Sequence, residues 1–159
     1  MLNRQSRELP TPAARAVAAL DDLIDLWPAP PWPALKLDSG LTVGSRGGHG
    51  PIRYTVSVRE RDRIRFDFDP RIGLVGFHEL RIEPTGDGRC RIVDTLAGHA
   101  RGRMRLLWPV MFRWLHEDLM HDLFDNVERH LTGHARAKTA RHGLWTRTLI
   151  VRARGARTG

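Results

Sequence analysis

Two stretches in the middle of the chain, residues 52–59 and 64–68, alternate apolar and polar residues with a period of two. Because successive side chains of a strand point to opposite faces, this pattern is typical of a sheet that buries one face. A slip of one residue would expose the whole apolar set, so the alternation also restricts the register. With the turn centred near Arg61, the apolar residues face each other in three pairs: Val58 with Ile64, Val56 with Phe66, and Tyr54 with Phe68.

The strand pattern returns in residues 74–83 and 89–100, on either side of the turn sequence PTGDG. Side chains that face each other directly across two strands have Cβ atoms about 5 Å apart, which is close enough for a hydrogen bond. The register therefore predicts a histidine and a carboxylate as neighbours on an otherwise apolar face. Centring the turn on Gly86 gives three pairs: Ile82 with Cys90, Leu80 with Ile92, and His78 with Asp94.

The predicted His78–Asp94 pair has two interpretations. A carboxylate that orients an imidazole makes a general base, able to remove an acidic C–H or hydroxyl proton, so His78 and Asp94 are the candidate catalytic residues. Alternatively, two buried polar groups satisfy each other inside the core and have no chemical role. The sequence leaves both interpretations open.

Helical patterns flank the strands. Residues 4–9 predict a short first strand, and residues 13–26 predict helix that ends before the proline-rich connector WPAPPWP. From about Arg103 to Leu131, apolar residues recur every three or four positions and predict one long helix. Its first half, LLWPVMFRWL, is apolar almost all round, so it must be buried on more than one side or line a space for a ligand.

Composition excludes several classes of protein. The chain has 159 residues, enough for one domain, and its single cysteine, Cys90, excludes a disulfide framework and a multi-cysteine zinc site. Among apolar neighbours we expect Cys90 to be buried and inert. The stretch GLTVGSRGGHG is followed by proline rather than by a Lys-Ser/Thr pair, so it predicts a loop or a bulged strand pair at a cavity mouth instead of a phosphate site.

Metal and cofactor sites are not expected either. The segment HEDLMH places His116 and His121 five residues apart, whereas two histidines that bind zinc from one helix face are four apart. No dinucleotide fingerprint and no Gly-x-Ser-x-Gly motif occurs in the sequence. The prediction is therefore no metal and no cofactor.

Positive charge is concentrated at the C-terminal end. Residues 134–159 contain seven arginine or lysine residues and no acid, out of a net charge of +8, so residues 1–133 are close to neutral. This pattern is typical of a basic, flexible tail, which is either simply solvated or attracted to nucleic acid or an anionic membrane. The N-terminal residues lack the apolar stretch of a signal peptide, and the longest apolar run, residues 106–112, is too short to span a bilayer. A cytoplasmic protein is the expectation.

The predicted order of elements resembles that of the SRPBCC superfamily, which includes START lipid-transfer domains, polyketide cyclases and birch-pollen-allergen proteins. More narrowly, the chain resembles actinobacterial proteins of the polyketide cyclase type. The resemblance covers about residues 3–132. It is carried by three stretches: LTVGSRGGHGPIRYTV (41–56), IRFDFDPRIGLVGFHELRIEPTGDGRCRI (64–92) and RGRMRLLWPV (101–110).

This resemblance implies an α+β helix-grip fold. In that fold a curved antiparallel sheet of six to seven strands wraps around a long C-terminal helix, and two short helices follow the first strand. Residues 1–133 are then a ligand-binding domain and residues 134–159 a basic tail. The fold also implies a large, mostly apolar cavity between the concave face of the sheet and the long helix.

The cavity lining can be predicted from the face assignments above. It comprises Tyr54, Phe66, Gly76, Trp108, Met111, Phe112 and Leu115. Polyketide cyclases place a few polar groups in such a cavity, but no set of theirs matches this sequence residue by residue, so no catalytic residue is carried over.

Three functions are consistent with the sequence. The first is binding of a hydrophobic small molecule, such as a lipid, a quinone or a polyketide-like compound, in the cavity. The second is a cyclase or aromatase that transfers protons through His78 and Asp94. The third is association with nucleic acid or a membrane through the basic tail.

Overall fold

A seven-stranded antiparallel sheet forms the largest part of the molecule, and its strands lie in the order β1-β7-β6-β5-β4-β3-β2. The computed structural model describes residues 1–134 and 142–148. The sheet confirms the predicted α+β architecture. Its strands are β1 (Leu2–Leu9), β2 (Lys36–Leu37), β3 (Arg46–His49), β4 (Ile52–Arg59), β5 (Arg63–Phe68), β6 (Leu74–Gly86) and β7 (Arg89–Ala100).

Two short helices follow β1: α1 (Ala13–Ala16) and α2 (Leu23–Leu26), with a 3₁₀ turn at Val17–Leu20 between them. The continuous helix that the pattern over residues 13–26 suggested is therefore broken. Asp21 and Asp22 lie at the break, and aspartate prefers turns and helix starts to helix interiors because its side chain competes for backbone hydrogen bonds.

The first hairpin has the predicted register in its outer part only. Tyr54 faces Phe68 and Val56 faces Phe66, but Val58 faces Arg65 instead of Ile64 because of a β-bulge between positions 56 and 58. The turn consists of two residues, since Glu60 and Arg63 hydrogen bond to each other through their backbones. The bulge compensates for this turn and returns the apolar residues to one face.

The register predicted for the second hairpin is wrong by two residues. The structure pairs Ile82 with Ile92, Leu80 with Asp94, and His78 with Leu96. The turn is formed by Asp87 and Gly88, both with positive φ (49° and 69°), which is the Asp-Gly signature of a tight hairpin turn. A bulge between Pro84 and Gly86 then shifts the register by one residue, and the pairing beyond it differs from the predicted pairing by two residues. Because the shift is even, His78 and Asp94 still share a face, as diagonal rather than direct neighbours.

One long helix lies across the concave face of the sheet. It consists of α3 (Met104–Leu107), a π-helical turn (Trp108–Phe112) and α4 (Arg113–Thr132), and runs for 29 residues. Pro109 lies within the π-helical turn, where its missing N–H is accommodated by the altered hydrogen bonding.

The first half of this helix separates a cavity from the outside of the molecule. Trp108 and Leu115 face inward and line the cavity. On the outer side, Leu106 is 76% exposed and Val110 is 59% exposed. The segment therefore lines a cavity on its inner side and is exposed on its outer side, so it is not buried on more than one side.

Polar contacts fix the long helix in place over the sheet. They join it to β1, to α2 and to the proline-rich connector, so the helix is attached at several points along its length. The contacts are Arg7 with Asp125 and Glu128, Asn3 Nδ2 donating to Glu117 Oε1, Trp32 Nε1 donating to Asp122 Oδ2, and Asn126 Nδ2 donating to the Leu26 carbonyl.

Two expectations from the sequence concern the burial of Cys90 and the presence of membrane-spanning helices. Cys90 is a free, fully buried cysteine, as predicted, and burial raises the pKa of its thiol. Among the described residues, no helix is both long enough and apolar enough to cross a membrane.

Strands β6 and β7 approach closely where Gly76 faces Gly98, and this contact leads to a prediction about stability. A Cβ on Gly98 would lie 2.1 Å from the Val75 carbonyl oxygen, and the φ of 149° at Gly98 is unfavourable for any residue with a side chain. We expect Gly98→Ala to lower the free energy of unfolding by about 2 kcal/mol or more, measured by urea denaturation.

Gly102→Ala is the matched control for this prediction. Gly102 also has a positive φ, 52°, but apart from its chain neighbours no atom of the described residues lies within 4 Å of the position that its Cβ would take. This variant should lose only the roughly 1–2 kcal/mol of a left-handed conformation. Equal losses in the two variants would contradict a steric role for Gly98.

Candidate functional site

A cavity of about 290 Å³ lies between the concave face of the sheet and the long helix. This is at the small end of the range of about 300–1,000 Å³ found for small-molecule pockets. Its wall is overwhelmingly apolar, interrupted by three histidines. The lining residues include the aromatic side chains Trp32, Tyr54, Phe68, Trp108 and Phe112, the aliphatic side chains Leu74, Leu96, Met111, Leu115 and Leu119, and the histidines His49, His78 and His116.

Most of the residues predicted to line the cavity are placed in its wall by the structure. These are Tyr54, Trp108, Met111, Phe112 and Leu115. Two predicted residues are not in the wall. Phe66 is buried in the core with its ring 4.9 Å from that of Tyr54, which covers it, and Gly76 has no side chain and sits against the backbone of β7.

His78 and Asp94 do form a pair. The imidazole Nε2 of His78, on β6, hydrogen bonds to Oδ1 of Asp94, on β7, although the two residues are diagonal neighbours in the sheet. Both side chains are buried, and that of Asp94 has no exposed surface. His78 also lines the cavity, so the pair connects a fully buried carboxylate to the space where a ligand would lie.

A third titratable residue, His116 of α4, completes this cluster. Its Nε2 lies 3.5 Å from Oδ2 of Asp94, and its ring stands edge-on to that of His78 with the centroids 5.2 Å apart. Desolvation lowers the pKa of His116 to about 4, an effect that His78 reinforces and the Asp94 carboxylate opposes. At neutral pH His116 is therefore an uncharged imidazole beside a buried carboxylate.

His49, at the end of β3, is the third histidine of the cavity wall. It packs against Trp27 and Tyr54, with ring centroids 5.0 and 6.0 Å away. Desolvation is the main reason that its pKa falls to about 3, and repulsion from His78, His116 and Arg53 adds to it. Within the glycine-rich stretch 40–50, Arg46–His49 thus form a strand paired with β2 and β4, and residues 40–44 form turns, where the sequence suggested a loop or a bulged strand pair.

Sequence reasoning missed His116 and His49 as site residues. The spacing of His116 and His121 does exclude a shared metal on one helix face, but it says nothing about residues that reach His116 from the sheet. One signal was present: His116 is four residues after Phe112 and eight after Trp108, on the side of the helix that was predicted to face the cavity. No comparable signal marks His49.

Part of the basic C-terminal segment packs against α4. In residues 142–148, Thr146 Oγ1 and the Gly143 amide both hydrogen bond to Asp118 Oδ2, and His142 Nε2 lies 2.9 Å from Asp122 Oδ2. The rest of the predicted tail, 135–141 and 149–159, lies outside the described residues.

No protein-family model and no curated protein matches the chain. Solved structures do. Norcoclaurine synthase from Thalictrum flavum, in complex with dopamine and hydroxybenzaldehyde, is 13% identical over 86% of this chain and 89% of its own, with a TM-score of 0.64. A protein from Thermobifida fusca, solved by NMR in solution, is 21% identical over 86% of this chain and 97% of its own, with a TM-score of 0.61.

A third similar structure is Ara h 8.0201, which is 15% identical over 84% of this chain and 99% of its own, with a TM-score of 0.61. At these identities the likeness establishes the fold. The chain has the helix-grip fold shared by SRPBCC and birch-pollen-allergen-like proteins, as the resemblance implied.

The lowered pKa of His49 predicts a pH dependence of stability. The ordinary pKa is 6.5 and the folded value is about 3, so between these pH values the unfolded chain binds a proton at His49 that the folded chain does not. The free energy of unfolding should therefore fall as pH drops from 6.5, by at most about 1.4 kcal/mol per pH unit from this residue. Urea denaturation at several pH values between 7 and about 4.5 measures it.

His49→Gln should reduce this slope because glutamine does not titrate. His99→Gln is the control, since His99 is an exposed histidine on β7 and its replacement should leave the slope unchanged. If His49→Gln and His99→Gln give the wild-type slope, desolvation of His49 has no part in the pH dependence.

Proposed function

We propose that this protein binds a small hydrophobic molecule in the cavity between the sheet and the long helix. The observation that carries the proposal is the cavity itself: about 290 Å³ enclosed by aromatic and aliphatic side chains, with only a few polar groups directed into it. Lipids, quinones and polyketide-like compounds are the classes considered, and the size of the cavity favours the smaller, ring-containing members.

The polar groups of the wall support a neutral ligand with oxygen substituents. His49 and His116 are held uncharged at neutral pH, so they offer hydrogen bonds without a formal charge. A row of aromatic and imidazole rings runs from Trp27 to Trp108, with neighbouring centroids 4.9 to 6.3 Å apart, and five of these seven rings line the cavity. The similar norcoclaurine synthase holds two small oxygenated aromatic compounds, dopamine and hydroxybenzaldehyde, which fits the same class of ligand.

Filling the cavity should remove binding. Leu115 lines the cavity, so Leu115→Trp should occupy part of it and weaken binding of the fluorescent probe 1-anilinonaphthalene-8-sulfonate by about 10-fold or more. Leu106→Trp is the matched control because Leu106 is on the outer side of the same helical segment and is 76% exposed. A fluorescence titration with both variants is the measurement, and equal affinities in the two would count against the cavity as the binding site.

A second candidate function is proton-transfer catalysis of the polyketide cyclase type, and the buried His78–Asp94 hydrogen bond favours it. His78 would take a proton from an acidic C–H of the bound ligand, leaving an enolate, and Asp94 would stabilise the imidazolium that forms. The same proton would return to a different atom of the ligand or exchange with water. The resemblance to actinobacterial proteins of the cyclase type supports this candidate in the same measure as it supports binding alone.

Deuterium exchange tests this second candidate. Metal-free protein in D₂O should accelerate incorporation of deuterium next to the carbonyl of 2-tetralone, observed by NMR, and His78→Asn or Asp94→Asn should reduce the acceleration by about 100-fold or more. Both variants should retain the affinity for the fluorescent probe within a few-fold, since the apolar wall is unchanged. No acceleration by the wild-type protein, or the same acceleration by the variants, would leave binding as the function.

Contact of residues 134–159 with nucleic acid or an anionic membrane is a third proposal. It rests on seven cationic residues without an acid in that range. Residues 142–148 pack on α4, but Arg147 within this segment is exposed and remains available for such a contact.

A further inference from the structure

Three side chains that can bind a metal ion converge at one point of the cavity wall. They come from three different elements: His78 from β6, Asp94 from β7 and His116 from α4. One ligand atom from each lies within 4.8 Å of the others. His78 and His116 both line the cavity, so the cluster borders the space proposed for the ligand.

The polar atoms of this cluster are incompletely satisfied. Oδ2 of Asp94 and both ring nitrogens of His116 are buried without a hydrogen-bond partner among the described residues. Leaving a buried polar atom unpaired costs free energy, and a buried carboxylate needs a compensating positive charge. Among the described residues, the side chains of His78 and His116 are the basic groups within 4 Å of the Asp94 carboxyl oxygens, and no arginine or lysine forms a salt bridge with it.

A divalent cation would resolve both deficits together. It would bring positive charge to Asp94, and it would take one lone pair from Oδ2 and one from His116. Two imidazoles and one carboxylate form a ligand set that zinc and other first-row transition ions prefer, whereas calcium and magnesium favour sites made of oxygen atoms. We propose that His78, Asp94 and His116 bind one divalent transition-metal ion, with Zn²⁺ as the first candidate.

The distances are compatible with this ligand set after small side-chain rotations. Ligand atoms around a tetrahedral zinc ion are about 3.3 Å apart, given zinc–ligand bonds of about 2.0–2.1 Å. Asp94 Oδ2 and His116 Nε2 are already 3.5 Å apart. The ion would compete with the hydrogen bond between His78 and Asp94, so the metal-bound and hydrogen-bonded arrangements are alternative states of the same residues.

The position of the site leaves room for a further ligand of the metal. Three protein ligands occupy three positions of a tetrahedral ion, and the fourth faces the cavity, as in zinc sites that bind a water or a substrate. A carbonyl or hydroxyl oxygen of a cavity ligand is the group this position would take. The metal site stands independently of the proposed hydrophobic ligand, because the cluster and its unsatisfied atoms exist without one.

The experiment measures metal directly on the full-length protein without an affinity tag. After treatment with a chelator and its removal, the protein is titrated with Zn²⁺ by calorimetry and with Co²⁺ by visible absorption. We expect one equivalent of each ion to bind, with the intense visible bands of four-coordinate Co²⁺. We also expect the melting temperature to rise when Zn²⁺ is added, because an ion that binds the folded state alone stabilises it.

His116→Gln is the decisive variant. Among the described residues, His116 makes no hydrogen bond that glutamine would break, so this variant should fold, and circular dichroism and a melting curve check that it does. It should weaken Zn²⁺ binding by about 100-fold or more and abolish the four-coordinate Co²⁺ spectrum. Asp94→Asn provides a second variant, which should lose binding because the amide lacks the charge.

His121→Gln is the matched control, since it makes the same change in the same helix, five residues away from the cluster. It should bind Zn²⁺ like the wild-type protein. Failure of the wild-type protein to bind one equivalent, or an equal loss of affinity in His116→Gln and His121→Gln, would overturn the proposal. Loss of metal binding with retained binding of the fluorescent probe would separate this site from the hydrophobic cavity.

Discussion

The concave face of the sheet must stay apolar along every long strand, and the two tight hairpin turns work against this requirement. A two-residue turn pairs Arg59 with Ile64 and Gly86 with Arg89, out of phase with the apolar residues. A single bulge beside each turn inserts one residue and restores the phase. Three features depend on these two bulges. They are the apolar wall of the cavity, the surface on which the long helix packs, and the placement of His78 and Asp94 on one face.

Against this apolar face the burial of Asp94 is the feature that most needs a functional explanation. Burying a carboxyl group with its polar partner adds little to stability, and apolar residues of similar volume often stabilise a protein as well or better. Two histidines, one from the neighbouring strand and one from the long helix, approach the carboxylate from different directions. Proton transfer through His78 and metal binding through all three residues are the two proposals that would use this buried carboxyl group.

The sequence predicted the sheet, the long helix and five residues of the cavity wall, because those depend on local periodicity. It also indicated that His78 and Asp94 share a face, although the register was wrong by two residues. That prediction survived because an even shift preserves the face of every side chain. The Asp-Gly dipeptide at positions 87 and 88 would have located the turn correctly, whereas the compensating bulges leave no clear signal in a single sequence.

His116 is a site residue that the sequence did not predict. Its helical spacing relates it to His121 but to no residue of the sheet, because spacing relates only residues on one element. The meeting of His116 with Asp94 depends instead on where the long helix crosses the sheet, and contacts such as Arg7 with Asp125 and Trp32 with Asp122 fix that position. The sequence by itself determined which faces are apolar, since that follows from the period of each element. Only the tertiary structure decided which polar groups meet inside the cavity, because that depends on packing between residues distant in the chain.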